Sequence, residues 1–135
     1  MSPERIKELF ASFSDALTRL EESLTEDVTQ STTIIDGTIQ RFEFTFELAS
    51  KLLRLMLLRE GVEASTPRAV LKEAYRAEWI ADGEGWIDML EDRNQTTHLY
   101  DEKTSAAIYR KIKEFHFDRL KGLRKFAEKN IQIQP

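Results

Sequence analysis

The residues best suited to chemistry lie together in segment 93–100, where an arginine, an amide, an imidazole and a phenol occur within eight residues. Arg93 carries a planar, permanently charged guanidinium of the kind that binds phosphate oxygens. His98, one of two histidines in the chain, ionises near neutral pH and can therefore transfer a proton. This pairing predicts phosphodiester chemistry that requires neither a metal ion nor another cofactor.

The reaction that fits these groups is RNA cleavage, in which a ribose 2′-hydroxyl attacks its own phosphate. His98 would move the proton, Arg93 would stabilise the charge that develops on the phosphoryl oxygens, and Asn94 would orient His98 or hold the phosphate. Cleavage of this kind usually uses two proton carriers, whereas the motif contains one histidine. A twofold homodimer would bring two copies of His98 together.

A purely structural interpretation of the same residues also remains open. Arg93 would then form an ion pair with a neighbouring acid, and His98 would only cap a helix. The neighbouring acids are Glu91, Asp92 and Asp101.

Two further side chains near the motif have alternative interpretations. Tyr100 is either an ordinary core or interface phenol, or a modified or RNA-contacting phenol beside His98. The second histidine, His116, lies between Phe115 and Phe117, which favours a helix residue packed among aromatic side chains over a catalytic one.

The spacing of the motif predicts that a helix ends within it. Arg93 and His98 are five residues apart, or roughly 140° around an ideal helix, so they would not share one helical face. Two β-branched threonines, Thr96 and Thr97, weaken helix propensity between them. The motif is therefore expected at a helix terminus that is followed by a turn.

Five segments with helical periodicity are predicted to position this motif, because apolar residues recur in them every three or four positions. They run from Pro3 to about Leu24, from about Thr33 to Glu60, from Pro67 to Ile80 or Ala81, from Trp86 to about Thr97, and from Lys103 to about Lys129. Thr66 and Asp101 are the expected caps of the third and fifth helices, and residues 82–85 are expected to form a turn. The predicted fold is an all-α, antiparallel (up-and-down) four-helix bundle with an additional short helix, in one domain spanning residues 1–135.

The second predicted helix is apolar on more than one face, which places it at the centre of the bundle. Phe42, Phe44 and Phe46 alternate with polar residues as in a strand, but the helical spacing of the flanking residues favours a helix. Gly61 is the expected end of this helix.

A polar stripe crosses this otherwise apolar helix at spacings of four, four and three residues. It consists of Glu43, Glu47, Lys51 and Arg54. The stripe is either a ladder of salt bridges or the charged wall of a cleft or partner-binding surface. The two glutamates lack an adjacent histidine or third carboxylate, so no metal site is predicted there.

Charge and composition limit the classes of function. The formal net charge of −4 argues against broad, non-specific binding to nucleic acid. Residues 104–130 nevertheless contain eight Lys/Arg and three Asp/Glu, so the last helix is a basic element, either a solvated face or a strip that contacts RNA or a partner. Without cysteine, a signal-peptide core or a long apolar segment, the chain is expected in the cytoplasm and away from membranes.

The motif residues resemble those of a known family. Arg93-Asn94-x-x-x-His98 resembles the Arg-x4-6-His motif of HEPN domains, and the addition of Tyr100 makes it similar to the Arg-x4-His-x-Tyr signature of HepT-type toxins. Segments 39–48 and 92–94 are similar to the related nucleotidyltransferase substrate-binding proteins. The similarity covers nearly the whole chain, and its specificity comes from the combination of the motif, the length, the helix order and the signature of the second helix.

The resemblance implies an antiparallel helical bundle that forms a homodimer and has a separately encoded minimal nucleotidyltransferase as partner. In the toxin branch, it implies a metal-independent ribonuclease with Arg93 and His98 catalytic and Asn94 supporting. The nucleotidyltransferase is the antitoxin in that branch, and it transfers AMP to the motif tyrosine, here Tyr100.

The other branch implies a non-catalytic subunit that binds the substrate of the nucleotidyltransferase. The dimer cleft and the stripe residues Glu43, Glu47 and Lys51 would then hold that substrate or contact the partner. This chain lacks a Gly-Ser turn followed by paired aspartates, so any nucleotidyl transfer would come from the partner. A plain helical interaction module is the third alternative.

Overall fold

The computed structural model describes residues 3–29, 31–98 and 101–133, except for the side chains of His98, Gln132 and Ile133. These residues form helices and their connections and no strand, which confirms the all-α prediction. The elements in chain order are α1 (Pro3–Leu24), α2 (Thr32–Arg59), α3 (Pro67–Arg76), α4 (Gly83–Gln95), a 3-10 turn (Thr96–His98), α5 (Glu102–Lys111), a π-helical turn (Ile112–His116) and α6 (Phe117–Ile133). The last three elements follow one another without a break and together form the C-terminal helix.

Neighbouring helices of the bundle run antiparallel. Ser23 of α1 hydrogen-bonds to Thr38 of α2, and Arg41 of α2 donates to the carbonyl of Arg19, four residues earlier in α1 (2.7 Å). The contacts therefore move back along α1 as they advance along α2. Helix α4 and the C-terminal helix are also antiparallel, because Asp82 contacts Arg119 whereas the later residue Asp88 contacts the earlier residue Lys111.

Large apolar side chains from each helix fill one core. Those with almost no exposed surface include Phe13 and Leu17 of α1, Phe42, Leu52 and Met56 of α2, Leu71 of α3, and Trp86 and Met89 of α4. The predicted central position of α2 is confirmed, since this helix packs against α1, α3, α4 and the C-terminal helix. The prediction of a helix despite the strand-like alternation is also confirmed. All three phenylalanines lie in α2, where Phe42 and Phe46 face the protein core and Phe44 is 58% exposed.

Helix caps confirm several predicted boundaries. The Thr66 hydroxyl accepts a hydrogen bond from the Ala69 N–H (3.1 Å), and the Asp101 carboxylate accepts one from the Thr104 N–H (2.6 Å). Gly61 follows α2 with φ of 82°, a left-handed conformation that glycine adopts without steric cost.

The predicted connection between α3 and α4 was wrong in two respects. Helix α3 ends at Arg76 rather than near Ile80, because Glu78 takes a left-handed φ of 65° and the Trp79 N–H bonds back to the Ala74 carbonyl (2.9 Å). Residues 82–85 are not a turn, because α4 already begins at Gly83. The Asp82 carboxylate accepts a hydrogen bond from the Gly85 N–H (3.0 Å) and thereby starts the helix three residues earlier than predicted.

Among the described residues, no helix combines the length and the apolar character needed to cross a membrane.

Candidate functional site

The motif arginine lies in a cleft between α2, the start of α3 and the end of α4. The cleft has a volume of about 220 Å³ and an apolar floor that includes Phe46 and Leu90. Its polar lining, which defines what we call the motif cleft, consists mainly of Glu47, Ser50, Lys51, Arg54, Arg93 and Asn94. The structure therefore brings the motif of α4 together with three residues of the polar stripe of α2.

Arg93 forms no ion pair with any residue that the structure describes. Each acid that the structural interpretation assigned to it binds elsewhere: Glu91 pairs with Arg68 (3.6 Å), Asp92 pairs with Lys111 (2.8 Å), and Asp101 caps α5. The half-buried Arg93 guanidinium is therefore available to a ligand in the cleft.

The end of α4 is built by the two threonines of the motif, as their β-branched character predicted. The Thr96 hydroxyl donates to the Arg93 carbonyl (2.6 Å), and the Thr97 hydroxyl donates to the Asn94 carbonyl (3.1 Å). These bonds engage two carbonyls in the last turn of the helix, where carbonyls lack the regular partner of a helix interior. The helix thus ends at Gln95, between Arg93 and His98.

The polar stripe divides between two surfaces. Glu47, Lys51 and Arg54 line the motif cleft, whereas Glu43 lies in a neighbouring depression that contains Arg41. Of the salt-bridge ladder, the described residues contain one pair, Glu47 with Lys51 at 4.0 Å, and both side chains are more than half exposed. An exposed pair of this kind contributes little to stability, so the stripe is mainly a charged surface.

The remaining predicted site residues lie wholly or partly outside the described residues. The His98 backbone belongs to the 3-10 turn directly after α4, and its side chain is not described. Tyr100 is not described at all. The roles assigned to both residues stay predictions.

Directly behind the motif, α4 is joined to the C-terminal helix by a network of charged side chains. We call it the buried network after its two buried central residues, Asp92 and His116; its more exposed members are Asp82, Asp88, Lys111 and Arg119. At its centre, Asp92 is 6% exposed and contacts both His116 (2.7 Å) and Lys111 (2.8 Å). Asp92 therefore anchors the turn of α4 from which Arg93 projects.

His116 is fully buried and its ring stacks on Phe42, with 5.5 Å between the ring centroids. This confirms the prediction of a histidine packed among aromatic side chains. Arg119 contacts its Nδ1 atom at 2.9 Å, and since a guanidinium can only donate, Nδ1 accepts. The proton is consequently on Nε2, from which it is donated to Asp92.

The network shifts the pKa values of its charged members. Burial raises the pKa of the Asp92 carboxyl, but hydrogen bonds from His116 and Lys111 oppose this and hold that pKa below its ordinary value of 3.8. Burial likewise lowers the pKa of the Lys111 ammonium, and the hydrogen bonds to Asp92 and Asp88 raise it above 10.5. At neutral pH the Asp92 carboxylate and the Lys111 ammonium are therefore both charged, and each offsets the charge of the other.

Ligand atoms of Asp88, Asp92 and His116 lie within 4.8 Å of one another, close enough to hold a metal ion. The chain, however, supplies its own cation, because the Lys111 ammonium lies within 3.0 Å of both carboxylates. The protonated Nε2 of His116 also has no lone pair to offer. The donor set fits a protein ion-pair network better than a metal site.

Sequence reasoning missed the buried network. Asp92 and His116 are 24 residues apart, and no local spacing connects them. A histidine in an apolar helix face does signal that a hydrogen-bonding partner must exist, since buried polar groups are nearly always paired. The sequence therefore indicates that His116 has a hydrogen-bonding partner but does not indicate which residue it is.

Known proteins resemble this chain over most of its length. The model of the family described as nucleotidyltransferase substrate binding protein like matches residues 8–129. A Haemophilus influenzae protein named probable ribonuclease HepT is 34% identical over 88 residues, which is 62% of this chain and 60% of that protein. The chain thus matches about three fifths of the length of this curated relative.

Two solved structures share the fold. A protein from Thermus thermophilus superposes with a TM-score of 0.74 and 30% identity, covering 89% of this chain and 98% of that one. A Haemophilus influenzae protein, whose structure is described as the fold of a substrate binding domain of a nucleotidyltransferase, superposes with a TM-score of 0.67 and 24% identity. This second match covers 94% of this chain and 99% of the Haemophilus influenzae chain. The match to the family model over residues 8–129 shows that this chain belongs to the nucleotidyltransferase substrate-binding-protein-like family.

Proposed function

We propose that this protein is a HepT-like ribonuclease that cleaves RNA without a metal ion. The observation that carries the proposal is the Arg93 guanidinium in the motif cleft, which has no ion-pair partner among the described residues and whose neighbours in sequence Glu91, Asp92 and Asp101 bind elsewhere. The name of the Haemophilus influenzae relative, probable ribonuclease HepT, supports it.

In this proposal Arg93 binds the scissile phosphate and stabilises the charge that develops on its oxygens. His98 takes the proton from the attacking 2′-hydroxyl, and Asn94 holds the phosphate or orients His98. A second proton is needed by the leaving 5′-oxygen. We propose that a homodimer supplies it from the other copy of His98.

The proposed regulation uses a separately encoded minimal nucleotidyltransferase that acts as antitoxin and transfers AMP to Tyr100. The hydroxyl oxygen of Tyr100 would attack the α-phosphorus of ATP, and pyrophosphate would leave. The AMP group would place a bulky anion about two residues from His98, where it would exclude RNA by size and by repulsion of phosphate.

The first test is growth arrest on induction of the chain alone, beside the His98→Ala and Arg93→Ala variants at matched expression. Arrest by the parent chain and by neither variant is the expected result, together with RNA cleavage in the purified protein. Arg110→Ala is the matched control, because Arg110 is exposed on α5 and outside the motif cleft. Cleavage that survives in both motif variants would overturn the assignment of the site.

A second test addresses the modified residue. Incubation with the nucleotidyltransferase and ATP should add the mass of AMP to the parent chain and to Tyr75→Phe, but not to Tyr100→Phe. Tyr75 is the suitable control because its side chain is 53% exposed and lies on α3. A mass increase that persists in Tyr100→Phe would exclude this tyrosine as the acceptor.

The alternative is a non-catalytic subunit that holds the substrate of a nucleotidyltransferase. The description of the matching family favours it, and the motif cleft would be its binding surface. Folded parent chain that neither arrests growth nor cleaves RNA, but stimulates nucleotidyl transfer by a partner enzyme, would establish this alternative instead.

A further inference from the structure

The motif cleft carries an excess of positive charge that the arginine motif alone does not explain. Lys51 and Arg54 of α2 line it together with Arg93 of α4, and Glu47 is the only acid in the described lining. The three cations come from two different helices. Tertiary packing, rather than a local motif, therefore concentrates positive charge at this place.

These cations form few ion pairs among the described residues. Arg54 forms no ion pair within ranges 3–29, 31–98 and 101–133, and the same holds for Arg93. Lys51 has only the exposed contact with Glu47 at 4.0 Å, which contributes little. The Ser50 hydroxyl oxygen is buried at the cleft and also has no hydrogen-bonding partner among these residues.

The dimensions of the cleft limit what it can hold. Its volume of about 220 Å³ is below the roughly 300 Å³ at which pockets for drug-sized ligands begin. One phosphate group with part of its sugar fits inside such a space beside the half-buried Arg93, and the next phosphate of the strand would lie at the mouth, where Lys51 and Arg54 are exposed. A complete nucleoside triphosphate would extend far beyond it. The apolar floor is suited to the sugar and the cationic rim to the phosphate.

We infer that the motif cleft is a two-helix phosphate site, in which Arg54 and Lys51 of α2 bind an RNA phosphate next to the one bound by Arg93. The inference rests on the proposed function for the identity of RNA as the ligand. Arg54 acts as a binding residue here. Its guanidinium offers a bidentate contact to phosphate oxygens, and Lys51 adds a point charge.

The test is binding of a short single-stranded 2′-O-methyl RNA, which cannot be cleaved by 2′-hydroxyl attack, at several salt concentrations. Arg54→Gln should weaken binding about tenfold and reduce the slope of log affinity against log salt by about 0.7, the value for one phosphate contact on a single strand. The affinity of Arg54→Lys should lie between those of the parent chain and Arg54→Gln, since lysine keeps the charge and loses the bidentate geometry.

Arg110→Gln is the matched control and should change neither affinity nor slope. Equal losses in Arg54→Gln and Arg110→Gln would overturn the inference and assign binding to the basic C-terminal helix. Arg54 and Arg110 are both exposed, and Arg54 has no ion pair with any residue that the structure describes, so Arg54→Gln and Arg110→Gln are expected to fold like the parent chain.

Titrations with ATP and with inorganic phosphate distinguish the source of the phosphate. Tight ATP binding that depends on Arg54, without RNA binding, would overturn RNA as the ligand.

The ribonuclease proposal and the phosphate-site inference can also fail separately. Arg54-dependent binding of the 2′-O-methyl RNA without cleavage of unmodified RNA would refute the ribonuclease and retain this site. RNA cleavage by Arg54→Gln with unchanged KM and salt dependence would refute this phosphate site and retain the ribonuclease.

Discussion

Asp92 and Arg93 are adjacent in sequence, but Asp92 is buried among charged partners and Arg93 lines an open cleft. Asp92 is at the centre of the buried network, where its carboxylate binds His116 and Lys111. Arg93 lies in the motif cleft and has no ion-pair partner among the described residues. One region uses its charges to join two helices, and the other leaves them available to a ligand. Helical geometry makes the contrast possible, because consecutive residues point about 100° apart.

The comparison predicts that the largest loss of stability comes from Asp92→Ala. This change would leave the buried His116 imidazole without the acceptor of its Nε2 proton and the Lys111 ammonium with Asp88 alone, at a cost of about 2–4 kcal/mol in the free energy of unfolding. Urea denaturation would measure it. The control is Asp88→Ala, whose side chain is 43% exposed, with an expected cost of about 0–1 kcal/mol. Equal costs in the two variants would show that the buried network is not centred on Asp92.

A smaller loss is expected from Gly85→Ala, which tests the far end of the network. A Cβ atom at Gly85 would overlap both the Asp82 carboxylate and the Arg119 guanidinium. The variant should lose about 0.5–2 kcal/mol, because both side chains must move aside and the Asp82 cap of α4 is disturbed. Gly122→Ala on α6, where a Cβ would meet no neighbouring atom, should instead stabilise the protein by up to about 1 kcal/mol. Thermal denaturation of the two variants would contradict this prediction if both shifted in the same direction.

A third prediction concerns pH and the same ion pairs. The pKa values of Asp82 and Asp92 are lower in the folded protein than their ordinary value of 3.8: the Gly85 N–H and Arg119 lower the first, and His116 and Lys111 outweigh the effect of burial on the second. Their contribution to stability is therefore complete above about pH 4 and is lost as the pH falls through the folded values. The raised pKa of Lys111 acts in the other direction, so its contribution is lost above pH 10.5.

Denaturation midpoints measured between pH 2 and pH 6 would test the acid limb. Asp92→Asn should show a shallower fall in stability with acid than the parent chain, because it removes one of the carboxyls that must be protonated. An identical slope in the two proteins would contradict the prediction.

The smallest effect on stability is expected at the motif cleft. Arg93→Gln should change the free energy of unfolding by less than about 0.5 kcal/mol, since no described residue depends on its charge. The same variant should lose RNA cleavage. A loss of stability as large as that of Asp92→Ala would assign Arg93 to the architecture rather than to a ligand.

Local chemistry determined the helices and most of their ends. Thr66 and Asp101 cap helices as expected, and the helix that bears the motif ends between Arg93 and His98 because Thr96 and Thr97 bind its last carbonyls. The prediction failed between α3 and α4. Glu78 adopts a left-handed conformation that is uncommon for a residue other than glycine, and Asp82 starts a helix across two glycines that usually signal a turn.

The sequence by itself determined the all-α class, the central position of α2 and the residues of the motif, because periodicity, caps and residue types are local properties. Only the tertiary structure decided which charges meet. It placed Lys51 and Arg54 in the cleft of Arg93, placed Glu43 elsewhere, and joined Asp92 to His116 across 24 residues. The physical reason is that pairing depends on the rotation and depth of helices that are distant in the chain, and these are set by how large side chains fill the common core.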